Sequence, residues 1–188
     1  MALFAERGID GASIGEIERA AGLAPRSGAL YQHFKGGKDE LLRCAIEREL
    51  RAVDELGSVM EMLPLGDLRA ELTLMARWNL ASLERRSDLA RFVRRDVARL
   101  SPELREELYE RLVGRPYEQV VKWLQRRIDD APDQPDLHAI ALVLVESMSA
   151  YHSLRRTFGR TPGDVDDERF IAGWVETALA VAGRFGLS

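Results

Sequence analysis

The stretch AGLAPRSGALYQHFKGGKDELL, from Ala21 to Leu42, decides how the amino-terminal part of this chain folds. It contains four glycines, a proline, an aromatic pair and several cations, and it lies between two segments with plain helical periodicity. A helix, a glycine turn and a second short helix together form the helix-turn-helix motif. The stretch therefore predicts a supporting helix over Ser13–Ala21, a turn at Gly22 and Leu23, and a second helix over Arg26–Phe34.

The second helix of such a motif is the reading helix, which enters the major groove of DNA with its first turns unpacked by protein. Here it begins with small residues that let the backbone approach DNA and continues with hydroxyl, amide and imidazole groups. Leu30 and Phe34, four residues apart, would anchor its back in the core. Phosphate contacts are expected near its ends and at helix amino termini, where free amides bind anions. The predicted DNA-binding residues are Ser13, Arg26, Ser27, Gly28, Ala29, Tyr31, Gln32, His33 and Lys38.

The charge of the chain neither requires nor excludes a nucleic-acid partner. The 188 residues are 46% apolar and 31% charged with mixed signs, which suits one or two folded soluble domains. The formal net charge is -4, and residues 1–50 contain seven Lys or Arg against eight Asp or Glu. Any DNA contact must therefore come from a local patch. Because helix-turn-helix geometry also occurs as simple packing in all-α proteins, spacing alone leaves DNA binding open.

The sequence indicates a cytoplasmic protein. It has one cysteine, Cys44, which excludes an internal disulfide, and we expect this thiol to be buried and inert. No apolar run approaches the roughly 20 residues of a membrane span. Charge comes too early in the segment MALFAERG for a signal peptide. We therefore expect no membrane partner.

The rest of the chain also has helical periodicity, without a convincing alternating strand pattern, so the chain is predicted to be all-α. Ser13 and Glu16 form a capping box, and Gly8 is a natural left-handed end for a first helix. Gly114 and Pro116 predict a kink within one of the later helices. The later helices are expected at Lys38–Met60, Leu68–Arg85, Asp88–Leu100, Pro102–Asp129, Asp136–Phe158 and Asp166–Phe185.

The last two helices are apolar on several sides, which predicts burial on several sides. Pairing them with their symmetry mates would form a four-helix dimer interface, whereas the alternative places both faces in one monomer core. A ligand site is expected among aromatic and isolated polar residues on otherwise apolar helices. Glu146 would need a partner if it were buried, or it could point to solvent. The candidates are Trp78, Asn79, Phe92, Tyr117, Trp123, Glu146 and Tyr151.

The sequence does not favour an enzyme. It has no glycine-rich phosphate loop, no nucleophile elbow and no metal-ligand cluster. We therefore expect no catalytic residue, no metal and no cofactor. The alternative to a DNA-binding protein is a non-catalytic helical ligand-binding or adaptor protein that has lost DNA binding, which the acidic net charge favours.

Several short motifs occur near the amino terminus: FAERG at Phe4–Gly8, S-I-x-x-I at Ser13–Ile17, AAGL at Ala20–Leu23, LYQHF at Leu30–Phe34, and Gly37-Lys38 followed by acids and LL. As a set, they resemble the DNA-binding domain of the tetracycline-repressor (TetR) family of transcriptional regulators. The segment APRSGA, between AGL and LYQHF, is longer than the commonest family pattern.

The resemblance implies two domains: a helix-turn-helix DNA-binding domain over residues 1–45 and a helical ligand-binding and dimerisation domain over residues 46–188. It implies a ligand-responsive regulator, typically a repressor, that binds a near-palindromic operator as a homodimer. The implied partners are double-stranded operator DNA, a small-molecule effector and a second copy of the chain bound through the last two helices.

Overall fold

The computed structural model describes residues 1–25, 28–61, 63, 65–127 and 135–184, with only the backbone described at residues 29 and 52–61. These residues form helices joined by turns, and none of those described lies in a β-strand. The all-α prediction is therefore confirmed. The helices are α1 (Ala2–Gly11), α2 (Ile14–Ala20), α3 (Ala29–His33), α4 (Gly37–Glu61), α5 (Leu68–Arg85), α6 (Ser87–Asp96), α7 (Pro102–Tyr109), α8 (Arg115–Gln125), α9 (Leu137–Phe158) and α10 (Asp167–Arg184).

The predicted helix boundaries differ most in the middle of the chain. Helix α5 spans Leu68–Arg85, as expected. The helix expected over Pro102–Asp129 is divided instead, because one π-helical turn at Glu110–Gly114 separates α7 from α8. A π turn is a known cause of helix kinks, and it lies where Gly114 and Pro116 predict one.

The chain divides into two compact units, each built from two separate stretches of sequence. The first unit contains Met1–Glu55 and Arg86–Tyr109, and the second contains Leu56–Arg85 and Glu110–Ser188. The first unit thus combines the helix-turn-helix segment with α6 and α7, and the second contains α5 and α8 to α10. The functional boundary expected at residue 45 stays a prediction.

Helix α6 belongs to the first unit because it packs against α1. The rings of Phe4 and Phe92 meet edge to face with their centroids 6.5 Å apart, and Phe92 is fully buried. The guanidinium of Arg95 donates hydrogen bonds to the carbonyl oxygens of Phe4 at 2.6 Å and Glu6 at 2.8 Å. The short first helix is therefore held by a helix that is far away in the sequence.

Gly8 interrupts α1 at the point where α6 comes closest. Its φ of 78° and ψ of 178° lie in a region of backbone space that essentially only glycine adopts. The first helical segment therefore breaks at Gly8, as the sequence predicts, and a further helical turn follows as far as Gly11. A Cβ atom at Gly8 would lie 2.9 Å from Arg95 Nη2 and 3.1 Å from Asp96 Oδ2. Glycine is thus required both for the backbone angle and for the close approach.

Gly8→Ala is expected to destabilise the protein by about 1–3 kcal/mol, because alanine is strained at this φ and its methyl group would displace the Arg95 guanidinium. Thermal unfolding followed by helical circular dichroism measures the effect. Gly183→Ala is the matched control, since a Cβ atom there meets open space on α10 and alanine favours a helix. Equal unfolding temperatures for the two variants would contradict the role given to Gly8.

Cys44 is exposed on α4, so the expectation of a buried thiol was wrong. The buried face of α4 in the first unit is formed by Leu42, Ile46 and Leu50, each at most 4% exposed. Residues four apart share one face of a helix, and position 44 lies on the other face.

The core of the second unit is formed by α5, α8, α9 and α10. Trp174 Nε1 donates a hydrogen bond to Leu144 O at 3.0 Å, which ties α10 to α9. Tyr151 and Phe170 stack with their ring centroids 4.0 Å apart. The buried residues of this core are Leu63, Leu72, Met75, Ala76, Val121, Trp123, Leu124, Leu137, Ala141, Leu144, Met148, Ile171, Trp174, Val175, Ala178 and Ala182.

Helix α9 is long and apolar enough to cross a membrane by length and composition, and no other helix in the described part of the chain meets that test. This is weak evidence for a span, because a core helix of a soluble protein passes the same test. The other side of α9 is exposed, so burial on several sides does not occur within one chain. The buried stripe of α9 consists of Leu137, Ala141, Leu144, Met148 and Tyr151.

Candidate DNA-binding interface and effector site

Helix α2 is held by the predicted capping box. Ser13 Oγ accepts a hydrogen bond from Glu16 N at 3.4 Å, and the Glu16 carboxylate accepts one from Ser13 N at 3.1 Å. The pKa of Glu16 is lowered, first by the hydrogen bond from the Ser13 hydroxyl and then by the bond from the Ser13 backbone, with Arg7 adding to the effect. Because the Ser13 hydroxyl is bonded to Glu16, a phosphate could contact the amino terminus of α2 here, but not a free hydroxyl group. Its DNA contact stays a prediction.

The turn after α2 closes as a Schellman motif, in which two backbone bonds satisfy the last carbonyl groups of the helix. Gly22 has the left-handed φ of 74° that this motif requires. Its N–H donates to Arg19 O at 3.1 Å, and Leu23 N–H donates to Glu18 O at 2.8 Å. The turn therefore lies where the sequence predicts it.

Helix α3 is the helix predicted to read DNA, called the reading helix below, and it is shorter than expected. Gly28 is its N-cap and has a left-handed φ of 75°, so the helix begins after Gly28. This backbone angle explains why the start expected at Arg26 was wrong. The candidate contacts Arg26 and Ser27 lie outside the described residues, and Ala29 is described only by its backbone.

The reading helix has one buried and one exposed side. Leu30 is 4% exposed and Phe34 is half-buried, consistent with their predicted role as anchors. Tyr31 is 54% exposed, and Gln32 and His33 are exposed as well. Hydroxyl, amide and imidazole groups on three consecutive residues are thus accessible, as the reading of base edges requires.

Cations lie near the reading helix. Lys35 is exposed just after it, Lys38 is half-buried in the first turn of α4, and Arg19 is exposed on α2. A carboxylate lies among them, since Glu40 accepts a hydrogen bond from Gly36 N at 2.7 Å. The positive surface available to phosphate is therefore a local patch.

The predicted effector residues do not all converge on one pocket. Phe92 lies in the first unit against Phe4, whereas the other candidates lie in the second unit. Glu146 is exposed on α9 and points to solvent. Trp123 is buried and donates from Nε1 to Glu71 Oε2 at 3.1 Å, which makes it part of the core.

Trp78 and Asn79 are candidates with unmet hydrogen-bonding capacity. Both residues are half-buried on α5, but Trp78 Nε1 and Asn79 Oδ1 are themselves buried and have no hydrogen-bond partner in the described structure. A buried unpaired polar atom is costly, so such atoms commonly mark a bound water or ligand. Tyr117, by contrast, donates its hydroxyl to His138 O.

Tyr151 lines an open groove of about 580 Å³ in the second unit. Ion pairs connect its walls: Arg77 lies 2.8 Å from Glu168, and Arg156 lies 2.7 Å from Glu84. Three arginines face three carboxylates, so the groove offers no net charge to select a ligand. Its lining consists of Arg77, Leu80, Ala81, Glu84, Tyr151, His152, Arg155, Arg156, Asp167, Glu168 and Ile171.

Tyr151 and Asp167 are among the groups at this groove that have shifted pKa values. The Tyr151 hydroxyl donates to Asp167 Oδ1 at 2.8 Å. Burial raises the pKa of Tyr151, and the bond to Asp167 raises it further. The hydrogen bond from Arg155 lowers the pKa of Asp167, and it outweighs the opposing effect of burial. Tyr151 thus remains a neutral donor and Asp167 an ionised acceptor near neutral pH.

Sequence reasoning missed Glu71, a fully buried carboxylate on α5. It accepts hydrogen bonds from Leu65 N at 2.7 Å and Trp123 Nε1 at 3.1 Å, and it pairs with Arg127. Burial alone would raise the pKa of Glu71, but these bonds outweigh burial and lower it. The available signal was its position four residues before Met75, on the apolar stripe of the helix.

Comparisons with known proteins extend these observations. Residues 1–45 match the family model described as bacterial regulatory proteins, tetR family. A structure of a proposed fatty acid metabolism regulator from Clostridium perfringens aligns with a TM-score of 0.66 and 18% identity, covering 92% of this chain and 90% of that chain. The crystal structure of PfmR, a TetR family transcriptional regulator from Thermus thermophilus, aligns with a TM-score of 0.62 and 24% identity, covering 93% and 91%. A search of curated proteins finds no match.

These findings define the class of protein as an all-α protein with an amino-terminal helix-turn-helix domain. Residues 1–45 match the tetR family model, and the chain as a whole shares the fold of the two aligned regulator structures. The resemblance carried by FAERG, AAGL and LYQHF is therefore confirmed.

Proposed function

We propose that this protein is a ligand-responsive transcriptional repressor that binds a near-palindromic operator as a homodimer. The observation that carries the proposal is that Tyr31, Gln32 and His33 are all exposed on a short helix that Leu30 anchors in the core. Reading of base edges needs hydrogen-bonding groups that are held on a fixed helix and are free of protein contacts. Such a regulator works in the cytoplasm, and the proposal includes no catalytic step.

In a symmetric dimer, two reading helices enter the major groove at half-sites about 34–36 Å apart or a multiple of that distance. Lys38 and the amino terminus of α2 would contact phosphates and set the register without carrying sequence information. Gly28 and Ala29 would allow close approach to DNA. Arg26 and Ser27 are retained as proposed contacts on the basis of the sequence.

The dimer is proposed to form through α9 and α10. On α9, Leu142 is 51% and Val143 is 67% exposed, opposite the buried stripe. On α10, Gly173 and Ala180 are exposed, and a Cβ atom at Gly173 would meet open space. Apolar and small residues on exposed faces allow a second pair of helices to approach closely and bury apolar surface. These features support a four-helix interface between two copies of the chain.

Gly173→Leu is expected to weaken the dimer by about 30-fold or more, the equivalent of about 2 kcal/mol at the centre of an interface. The leucine side chain has room in the single chain but would separate two closely packed helices. Sedimentation equilibrium measures the dissociation constant. Ala70→Leu, at an exposed position on α5, is the control. A Gly173→Leu variant that dimerises as tightly as this control would contradict the proposed interface.

The effector is proposed to bind in the second unit, with Trp78 Nε1 and Asn79 Oδ1 supplying hydrogen bonds. Neither atom has a hydrogen-bond partner among the residues that the structure describes, which supports this choice. Tyr117, Trp123 and Tyr151 already have hydrogen-bond partners, so they would line the site without bonding to the effector. An effector releases DNA only if it binds more tightly to the dimer conformation whose reading helices are wrongly spaced.

The function is tested by selecting sequences from a random double-stranded DNA pool with the purified protein at low salt. Enrichment of a near-palindromic sequence would support the regulator. A folded protein that enriches no sequence would instead support the competing function, a helical ligand-binding or adaptor protein without DNA binding. Lys38→Glu should remove retention of the selected DNA in a gel shift without unfolding the protein, because Lys38 would contact phosphate.

A further inference from the structure

Glu18 is a buried carboxylate of the first unit that the proposed DNA contacts do not involve. Its side chain on α2 is fully buried, although the adjacent residues Arg19 and Ala20 are exposed. Burying an ionisable group costs free energy unless hydrogen bonds compensate for the lost water. The position of Glu18 therefore requires a structural reason.

Glu18 holds both ends of the turn between the two helices of the motif. Its backbone carbonyl accepts the Leu23 N–H at 2.8 Å, where the turn begins. Its carboxylate oxygen Oε1 lies 3.5 Å from Leu30 N, in the first turn of the reading helix. One residue of the supporting helix thus contacts the chain before and after the turn.

The N-cap residue of the reading helix supplies no side-chain cap. The first amides of a helix have no partner within the helix, and a side-chain oxygen of the N-cap residue normally accepts one of them. The N-cap of α3 is Gly28, which makes no side-chain cap bond. The Glu18 carboxylate, which lies on α2, accepts an amide of α3 in the way that an N-cap side chain normally does. Although 3.5 Å is long for a hydrogen bond, a negative charge is favourable at a helix amino terminus.

We propose that Glu18 is a positioning residue for sequence recognition, which fixes the orientation of the reading helix. The inference rests on the proposed DNA-binding function. Glu18 does not touch DNA; it determines where Tyr31, Gln32 and His33 stand relative to the supporting helix. Contacts to base edges depend on this placement, whereas contacts to phosphate depend on it much less. Loss of the Glu18 contact should therefore reduce specific binding more than non-specific binding.

The test compares Glu18→Leu, Glu18→Gln and Ile46→Ala on the DNA that the wild-type protein selects from a random pool. Leucine fills much of the space without an acceptor, and glutamine keeps an acceptor oxygen. Ile46→Ala removes a buried side chain, 1% exposed, from α4 in the same unit. For Glu18→Leu we expect the ratio of specific to non-specific affinity to fall at least about tenfold, as for one lost base contact. The Leu30 amide should also lose protection from hydrogen exchange.

Glu18→Gln should keep most of the affinity ratio and most of the Leu30 protection. Ile46→Ala should lose stability but keep the ratio. The inference is overturned if Glu18→Leu keeps both the wild-type ratio of specific to non-specific affinity and the wild-type protection of the Leu30 amide. It is also overturned if Ile46→Ala lowers that affinity ratio as much as Glu18→Leu does. If Glu18→Leu does not fold, Glu18→Asp replaces it, because the shorter side chain cannot reach Leu30. If the wild-type protein selects no sequence, the proposed function fails, and Leu30 protection alone decides the role of Glu18.

Discussion

Glu71→Ala is expected to destabilise the second unit by about 3–5 kcal/mol, the loss typical of removing one partner of a buried ion pair. Glu71 is fully buried and the Arg127 side chain is 7% exposed, so water cannot readily replace the lost carboxylate. The substitution also removes the acceptor for Leu65 N and Trp123 Nε1. Buried donors and a buried charge would thus be left without this partner at the same time.

Urea unfolding followed by tryptophan fluorescence measures this effect selectively. All three tryptophans of the chain lie in the second unit, so the signal reports on that unit. Glu176→Ala is the matched control, because the Glu176 carboxylate pairs with Arg69 at the surface, where ion pairs contribute little. Replacing both Glu71 and Arg127 with leucine should recover much of the lost stability. Equal stability of Glu71→Ala and Glu176→Ala would contradict the account.

The same carboxylate predicts a loss of stability in acid. The pKa of Glu71 is lower in the folded protein than in the unfolded chain, so its stabilising effect is complete above the ordinary glutamate pKa of about 4.3. The effect is lost as the pH falls through the folded-state pKa, because the unfolded chain then binds the proton more readily. Glu71→Gln should make the stability of the second unit less dependent on pH in this range. An unchanged dependence would contradict this prediction.

Alanine in place of Gln32 or His33 is expected to weaken specific DNA binding by about 5- to 150-fold, which corresponds to about 1–3 kcal/mol per lost base contact. Both side chains are exposed, so the unfolding temperature should not change. In a homodimer each substitution occurs twice, which places the effect toward the upper end of this range. Fluorescence anisotropy with the selected operator and with unrelated DNA measures both affinities.

The chain offers matched controls for this experiment. Gln125 and His138 are exposed on helices of the second unit, and Tyr109 is 55% exposed, close to the 54% of Tyr31. Alanine at Gln125 or His138 should leave operator binding unchanged. If the Tyr31 hydroxyl is removed by Tyr31→Phe, then Tyr109→Phe is the matched control. Loss of a base contact changes affinity with little change in salt dependence, whereas loss of a phosphate contact reduces that dependence. If Gln32→Ala and Gln125→Ala bound the operator equally well, the reading-helix assignment would be wrong.

Local chemistry made the helix-turn-helix segment predictable from the sequence. The capping box of Ser13 and Glu16 and the left-handed turn at Gly22 each depend on residues only a few positions apart. The spacing of Leu30 and Phe34 likewise indicated which side of the reading helix faces the protein. The start of that helix was harder to predict, because it depends on the backbone angle at Gly28.

Contacts between distant residues could not be predicted in the same way. The sequence offers Phe92 as an aromatic candidate for the effector site, and nothing local shows that it packs on Phe4 instead. Periodicity places Glu71 on the apolar stripe of α5, but it does not identify its partners, which are Arg127 and a loop that donates to the carboxylate. The polar character of Asn79 is visible in the sequence, whereas it is packing that leaves its oxygen without a hydrogen-bond partner in the described part of the chain.

The first unit takes its last two helices from residues 86–109, and this has a consequence for biosynthesis. A nascent chain cannot complete this unit when residue 55 leaves the ribosome, because Phe4 remains uncovered until Phe92 has been translated. During that interval, chaperones and proteases have access to an apolar side chain that the finished protein hides. A fragment that stops at residue 45 would remain in this condition permanently.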